Sequence, residues 1–143
     1  MPFPALFSRA LLVTLLTTAA SGAGAELRIS IDLSDQAMHV ARNGTLLNVW
    51  PVSTARDGKC TPVGTYHPIT LKRMHYSTLY GGAPMPFSIF FSGNYAIHGT
   101  TETDKLGSPA SAGCVRLHPT NAETLFDYVL EEGKAATMIV IRP

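Results

Sequence analysis

A chain of 143 residues is long enough to bury a real core and short enough to be one domain. Its 11 Lys and Arg face 10 Asp and Glu, and no basic run with interleaved aromatics occurs. That balance gives no electrostatic case for nucleic acid or for an anionic membrane surface, so partners have to be recognised by shape and specific chemistry.

Residues 1–25 read as a segment apart from the fold. Leu6 to Ala20 is apolar without an acid, Arg9 supplies a positive start, and Ala23-Gly24-Ala25 offers small residues at a cleavage position. This is the pattern of a secretory signal peptide cut after Ala25. The apolar run is short for spanning a bilayer, which takes ~20 residues, so contact with a membrane is expected only through the uncleaved segment. Its removal takes Arg9 alone among the charges and leaves ten of each sign in residues 26–143.

Leu27, Ile29, Ile31 and Leu33 alternate with polar residues and predict a half-buried strand; Met38 and Val40 predict a second. Asn43-Gly44 then predicts a tight hairpin, because both residues tolerate positive φ, with Thr45 to Ser53 returning. The same turn accounts for Asn43-Gly44-Thr45, which also fits a glycosylation acceptor. Arg56 to Lys59 reads as a polar loop, followed by Cys60 and by a strand punctuated by Pro62 and Gly64. Leu71 to Pro86 lacks clean periodicity and carries Tyr76, Tyr80, Gly81-Gly82 and two prolines, which predicts a long excursion, either an ordinary surface loop or one of the lid or binding-loop kind. Ser88 to Phe91 and Tyr95 to Ile97 predict strands around a Ser92-Gly93-Asn94 turn. Near the end, Thr120-x-x-Glu123 predicts a capping box, and Ala122, Leu125, Phe126, Val129 and Leu130 an apolar helical stripe closed by Gly133. Met138 to Ile141 predicts a closing, fully buried strand.

The chemistry concentrates between these elements. Tyr95-Ala96-Ile97-His98-Gly99-Thr100 and Ser111-Ala112-Gly113-Cys114-Val115-Arg116-Leu117 flank a polar loop, with His98 and Cys114 sixteen positions apart at its two sides. Both flanks read as strand ends, so a thiol and an imidazole can meet at the base of the loop. The thiolate is the nucleophilic form of cysteine, and an adjacent imidazole generates it. Gly113 allows close backbone approach, and N–H groups at such a turn can face an oxyanion. The competing readings are a buried structural cysteine, a Cys60–Cys114 disulfide, and a metal site using Cys114, His118 and His98. Zinc sites use paired ligands at short spacing, and no second pair exists here. His39, His67 and His75 carry no signal, and no phosphate loop or serine elbow is present.

His98-Gly99-Thr100 with Ser111-x-Gly113-Cys114-Val115-Arg116-Leu117 resembles the signature of the L,D-transpeptidase catalytic domain, also called the YkuD domain. Thr61-Pro62-Val63-Gly64-Thr65-Tyr66 and the stretch from Met85-Pro86-Phe87 to Phe90-Phe91 resemble that family's upstream segments, in the family's order. Many members have histidine where this chain has Ala112; the base role in the family's usual assignment falls on His98. The resemblance implies a mainly β fold, an L,D-transpeptidase-like β-sandwich of mixed sheets with one amphipathic helix (Thr120 to Glu132), as the catalytic domain over residues 26–143. It implies Cys114 as nucleophile and His98 as base, with a backbone carbonyl near Gly99 orienting the ring. Gly99, Gly113 and Ser111 are then expected to orient the pair or bind the oxyanion, and Arg116, Tyr80 and Met85 to contact substrate. The implied substrate is the peptidoglycan stem peptide in the periplasm or cell envelope, cross-linked 3–3, with no cofactor, metal, nucleotide or nucleic acid. Alternatives with the same residues are an L,D-carboxypeptidase or a cross-link or lipoprotein-linkage hydrolase. A non-enzymatic alternative is a cell-wall binding module that has lost catalysis.

Overall fold

A computed structural model describes residues 26–143 together with Pro2; the expected signal segment lies outside the described residues. Two mixed sheets and one helix form the domain, as the fold expectation required. The strands run β1 (Leu27–Asp32), β2 (Ala37–Arg42), β3 (Thr45–Pro51), β4 (Gly64–Tyr66), β5 (Thr70–Tyr76), β6 (Pro84–Ser92), β7 (Tyr95–Gly99), β8 (Val115–Leu117) and β9 (Thr137–Arg142). One sheet has the order β3-β2-β1-β9-β4 and the other β5-β6-β7-β8. Among the described strands, β1 with β9 and β7 with β8 pair in parallel. Helix α1 (Pro119–Glu132) is the crossover between β8 and β9 and packs on β6 and β7.

The alternation read in the sequence becomes the core. Leu27, Ile29 and Ile31 of β1, Met38 and Val40 of β2, and Ile139 and Ile141 of β9 turn to one side of their sheet. Ile89 and Phe91 of β6, Ile97 of β7 and Val115 and Leu117 of β8 join them in one cluster with Ala122, Leu125, Phe126 and Val129 of α1. Burying a side chain of this size stabilises the fold by about 1.5–3 kcal/mol, so β1, which buries three, is among its firmest elements. The β2–β3 hairpin turns at Asn43 and Gly44 with φ of 50° and 81°, the paired positive values that a right-twisted hairpin needs.

Four expectations change. The excursion from Leu71 to Pro86 is mostly strand: β5 and β6 leave a loop of only Ser77 to Ala83. Its periodicity is hidden because β5 is an edge strand whose Lys72, Arg73 and Met74 all face solvent, and because Pro84 and Pro86 lie where β6 has no partner in β7. The capping box does not form; Thr120 lies inside the helix, and the cap is His118, whose Nδ1 accepts from the Thr120 N–H at 3.2 Å. Leu130 is 52% exposed, because helical geometry puts it at the border of the stripe centred on Ala122 and Val129. Strand β9 is central but only alternately buried, with Met138 and Val140 half-covered on the outer face.

Gly99 shows how tightly α1 is seated. A Cβ there would stand 3.0 Å from Pro86 Cγ and 3.1 Å from Pro119 Cα, so the helix start and the first residues of β6 close on bare backbone. Gly99→Ala is expected to lower stability by about 1–3 kcal/mol through this overpacking. Thermal unfolding reads it as a drop of several degrees, and a melting temperature unchanged from wild type would contradict the packing.

Candidate active site

The site grows out of the β7–β8 pair. Parallel register sets His98 opposite Arg116, so Cys114, two residues before Arg116, emerges on the same side of the sheet. Both side chains line a groove of about 530 Å³ walled by the Ser77–Ala83 loop, Met85 and the 111–116 segment.

Three segments clamp the cysteine loop. Ser111 Oγ accepts from the Gly113 N–H at 3.0 Å and donates to the Cys114 carbonyl at 2.6 Å. Thr61 Oγ1 donates to the Gly113 carbonyl at 2.8 Å and accepts from the Ala55 N–H at 3.0 Å. Ser53 exchanges backbone hydrogen bonds with Arg116, at 3.1 and 2.9 Å. The strap that carries Ser53 is itself held by Gln36, whose amide donates to Thr54 Oγ1 at 2.6 Å and accepts from the Thr54 N–H at 2.9 Å. Gln36 is buried and adopts φ of 49° to do so. Thr54 O then receives the N–H groups of Ala110 and Ser111, both at 2.9 Å.

Gly113 has no substitute. Its φ is 145°, and a Cβ would lie 2.6 Å from the Tyr95 ring and 2.9 Å from the Cys60 carbonyl. The Tyr95 ring is backed by Phe91 and Phe91 by Tyr66, with centroids 6.5 and 5.1 Å apart, so it has little room to give. Gly113→Ala is expected to cost at least about 2 kcal/mol and to displace Cys114. Chemical denaturation together with the alkylation rate of Cys114 reads both effects.

His98 is buried, and its Nδ1 lies 2.7 Å from the Gly99 carbonyl. A carbonyl only accepts, so Nδ1 carries the proton and Nε2 is left as the basic nitrogen. Burial, with the nearby Arg116 and His75 charges, lowers the imidazole from its ordinary 6.5 to about 4, against the opposing pull of the Gly99 carbonyl. Burial also raises the Cys114 thiol, outweighing the Ala96 N–H and Arg116, which favour the thiolate. Burial therefore favours the neutral thiol and the neutral imidazole, both of which line the groove. Cys114 Sγ lies 3.7 Å from the Asn94 carbonyl.

The structure brings together in this groove Cys114, His98, Ser111, Gly113, Arg116, Tyr80 and Met85. Gly99 stands behind it, through its carbonyl on His98. One placement differs from expectation. The Gly113 N–H, expected to face an oxyanion, is taken by Ser111 Oγ. Arg116 Nη1 pairs with Glu102 Oε2 at 3.3 Å, and Lys105 Nζ shares that oxygen at 3.0 Å. His75, which carried no signal, lines the groove because β5 sets it opposite Met85, a tertiary pairing invisible in the local sequence. Thr61 was legible only as part of the Thr-Pro-Val-Gly motif. Cys60 is an exposed free thiol and Cys114 a half-buried one.

A mixed β-sandwich with a histidine on one strand of a parallel pair and a cysteine just before the other, both facing a groove, is the class this geometry defines. The family model of the L,D-transpeptidase catalytic domain (YkuD) matches residues 26–141, and the chain belongs to that family. No curated protein matches it. It is similar to an L,D-transpeptidase from Mycobacterium smegmatis, at 20% identity over 84% of this chain and 60% of that one, with a TM-score of 0.74. An L,D-transpeptidase from Xylanimonas cellulosilytica aligns at 25% identity over 85% and 62%, TM-score 0.70. L,D-transpeptidase 3 from Mycobacterium tuberculosis, in complex with a faropenem-derived adduct, aligns at 18% over 84% and 61%, TM-score 0.71. The chain spans about three fifths of the length of these structures.

The His98 environment has a consequence for stability. Between pH 6.5 and about 4 the unfolded chain binds a proton at this histidine that the folded chain does not. Stability from this residue is therefore full above pH 6.5 and is lost as pH falls to about 4, by up to about 3 kcal/mol. Urea unfolding of wild type and His98→Gln at pH 7 and pH 4.5 isolates it: the variant should lose less stability on acidification than wild type.

Proposed function

We propose that the chain is a periplasmic L,D-transpeptidase that works as a cysteine acyltransferase on peptidoglycan stem peptides, residues 26–143 being its catalytic domain and residues 1–25 its cleaved signal. The observation that carries this is the shared groove face of Cys114 and His98, with the His98 ring turned by the Gly99 carbonyl so that Nε2 is the free base. Substrate entry displaces water from the groove and brings the carbonyl of the third residue of a tetrapeptide stem to Sγ. Nε2 of His98 takes the thiol proton as sulfur attacks that carbon. The Cys114 N–H faces the developing oxyanion, since the Gly113 N–H is engaged by Ser111.

Collapse breaks the bond to D-alanine, whose amine leaves with the proton held on His98, and a thioester remains on Cys114. A side-chain amine of a second stem then attacks, gives its proton to His98, and expels the thiolate, which recovers that proton. The product is a 3–3 cross-link. Tyr80 and Met85 supply the wall opposite the cysteine loop, and Arg116, braced by Glu102, supplies positive field to both reacting groups. The faropenem-derived adduct described for the M. tuberculosis relative makes a penem a suitable probe of this reading.

Intact-mass spectrometry with a penem, and with a defined tetrapeptide stem, tests the proposal. Wild type should gain the mass of the opened penem and convert the stem to cross-linked dimer and D-alanine; Cys114→Ala should do neither while unfolding at a similar temperature. Tripeptide without dimer would make the enzyme a carboxypeptidase. An adduct surviving in Cys114→Ala would remove the mechanism.

A further inference from the structure

The charged groups of the groove are unevenly spent. Glu102, Arg116 and Arg56 line it, and Glu102 holds both Arg116 and Lys105 on one carboxylate oxygen. Arg56 is exposed, and among the described residues its guanidinium meets no carboxylate. Its backbone, by contrast, is fixed on the cysteine loop. The Arg56 N–H donates to the Ser111 carbonyl at 2.9 Å, Ala55 bridges Ser111, and the Lys59 N–H closes a turn on the Arg56 carbonyl at 3.0 Å. A planar five-donor cation is therefore carried at the groove from a backbone fixed on the cysteine loop, with its own charge unanswered. The opposite wall, Ser77 to Ala83 and Met85, carries no charge.

We infer that Arg56 is a specificity-determining residue that takes a free carboxylate of the acyl-donor peptide, so that the enzyme selects stems whose third residue is a diamino diacid over the same stems with that carboxylate amidated. The inference rests on the acyl-transfer reading above. A guanidinium binds a carboxylate through two charge-assisted hydrogen bonds, whereas a carboxamide offers one neutral acceptor. Arg116 is the poorer candidate, because a substrate carboxylate would have to displace Glu102 from it.

The test is a pair of tetrapeptides differing only in carboxylate or carboxamide at the third residue, assayed for kcat/KM of acylation with wild type, Arg56→Gln and Arg56→Lys. Wild type should prefer the carboxylate by about tenfold, expressed in KM. Arg56→Gln should bring the two peptides to near parity, and Arg56→Lys should keep part of the preference. A wild-type enzyme indifferent to the change, or a preference that survives Arg56→Gln, overturns the assignment and leaves acyl transfer standing. Failure of wild type to be acylated by either peptide overturns the acyl-transfer reading and this inference with it.

Discussion

Strand β8 is three residues long, and the groove depends on the backbone hydrogen bonds along both of its edges. On one side it pairs in parallel with β7, which fixes the sulfur and the imidazole on one face. On the other, Arg116 bridges Ser53, an isolated antiparallel contact outside any strand. A strand this short has too few ladder bonds to hold a register by itself. Its position is over-determined instead by Ser111, Thr61 and the 52–54 strap, each engaging the 110–116 segment. The positive φ at Gly113, open to glycine and closed to other residues, is held in place by these contacts.

That rigidity has an electrostatic counterpart. A thiolate–imidazolium pair would be reactive at all times, yet burial here disfavours both charged forms. Arg116 acts in opposite senses on the two groups, easing the thiolate and opposing the imidazolium. Under the proposed function the proton moves only when substrate supplies the carbon to be attacked and an amide to receive the oxyanion. The Gly99 carbonyl makes this possible by settling the tautomer beforehand, in the place an acidic residue occupies in a triad.

Much of the fold was legible because the core strands alternate cleanly. Leu27, Ile29 and Ile31 declare β1, and Asn43-Gly44 declares its hairpin neighbours, since a period of two and a pair of positive φ values are local properties. What escaped was set by tertiary pairing. Edge strand β5 has no buried face to impose a pattern, and Phe87, at φ of 53° inside β6, follows no propensity rule. At the site, Cys114 and His98 stood out through their motifs, whereas His75 and Arg56 enter the groove only by way of strand register and a loop-to-loop hydrogen bond. The engagement of Gly113 by Ser111, two residues away, was present in the spacing but needed the turn geometry to be seen.

Gln36 lies in the turn between β1 and β2, yet its side chain carries the strap on which the cysteine loop rests. The amide satisfies Leu33 on its own turn and Thr54 on the strap together, so the hairpin and the strap move as one body. Under the proposed function, a survey of lesions that lower turnover would therefore recover changes in this hairpin, and a map drawn on such data alone would enlarge the site to include a corner of the molecule outside the groove lining.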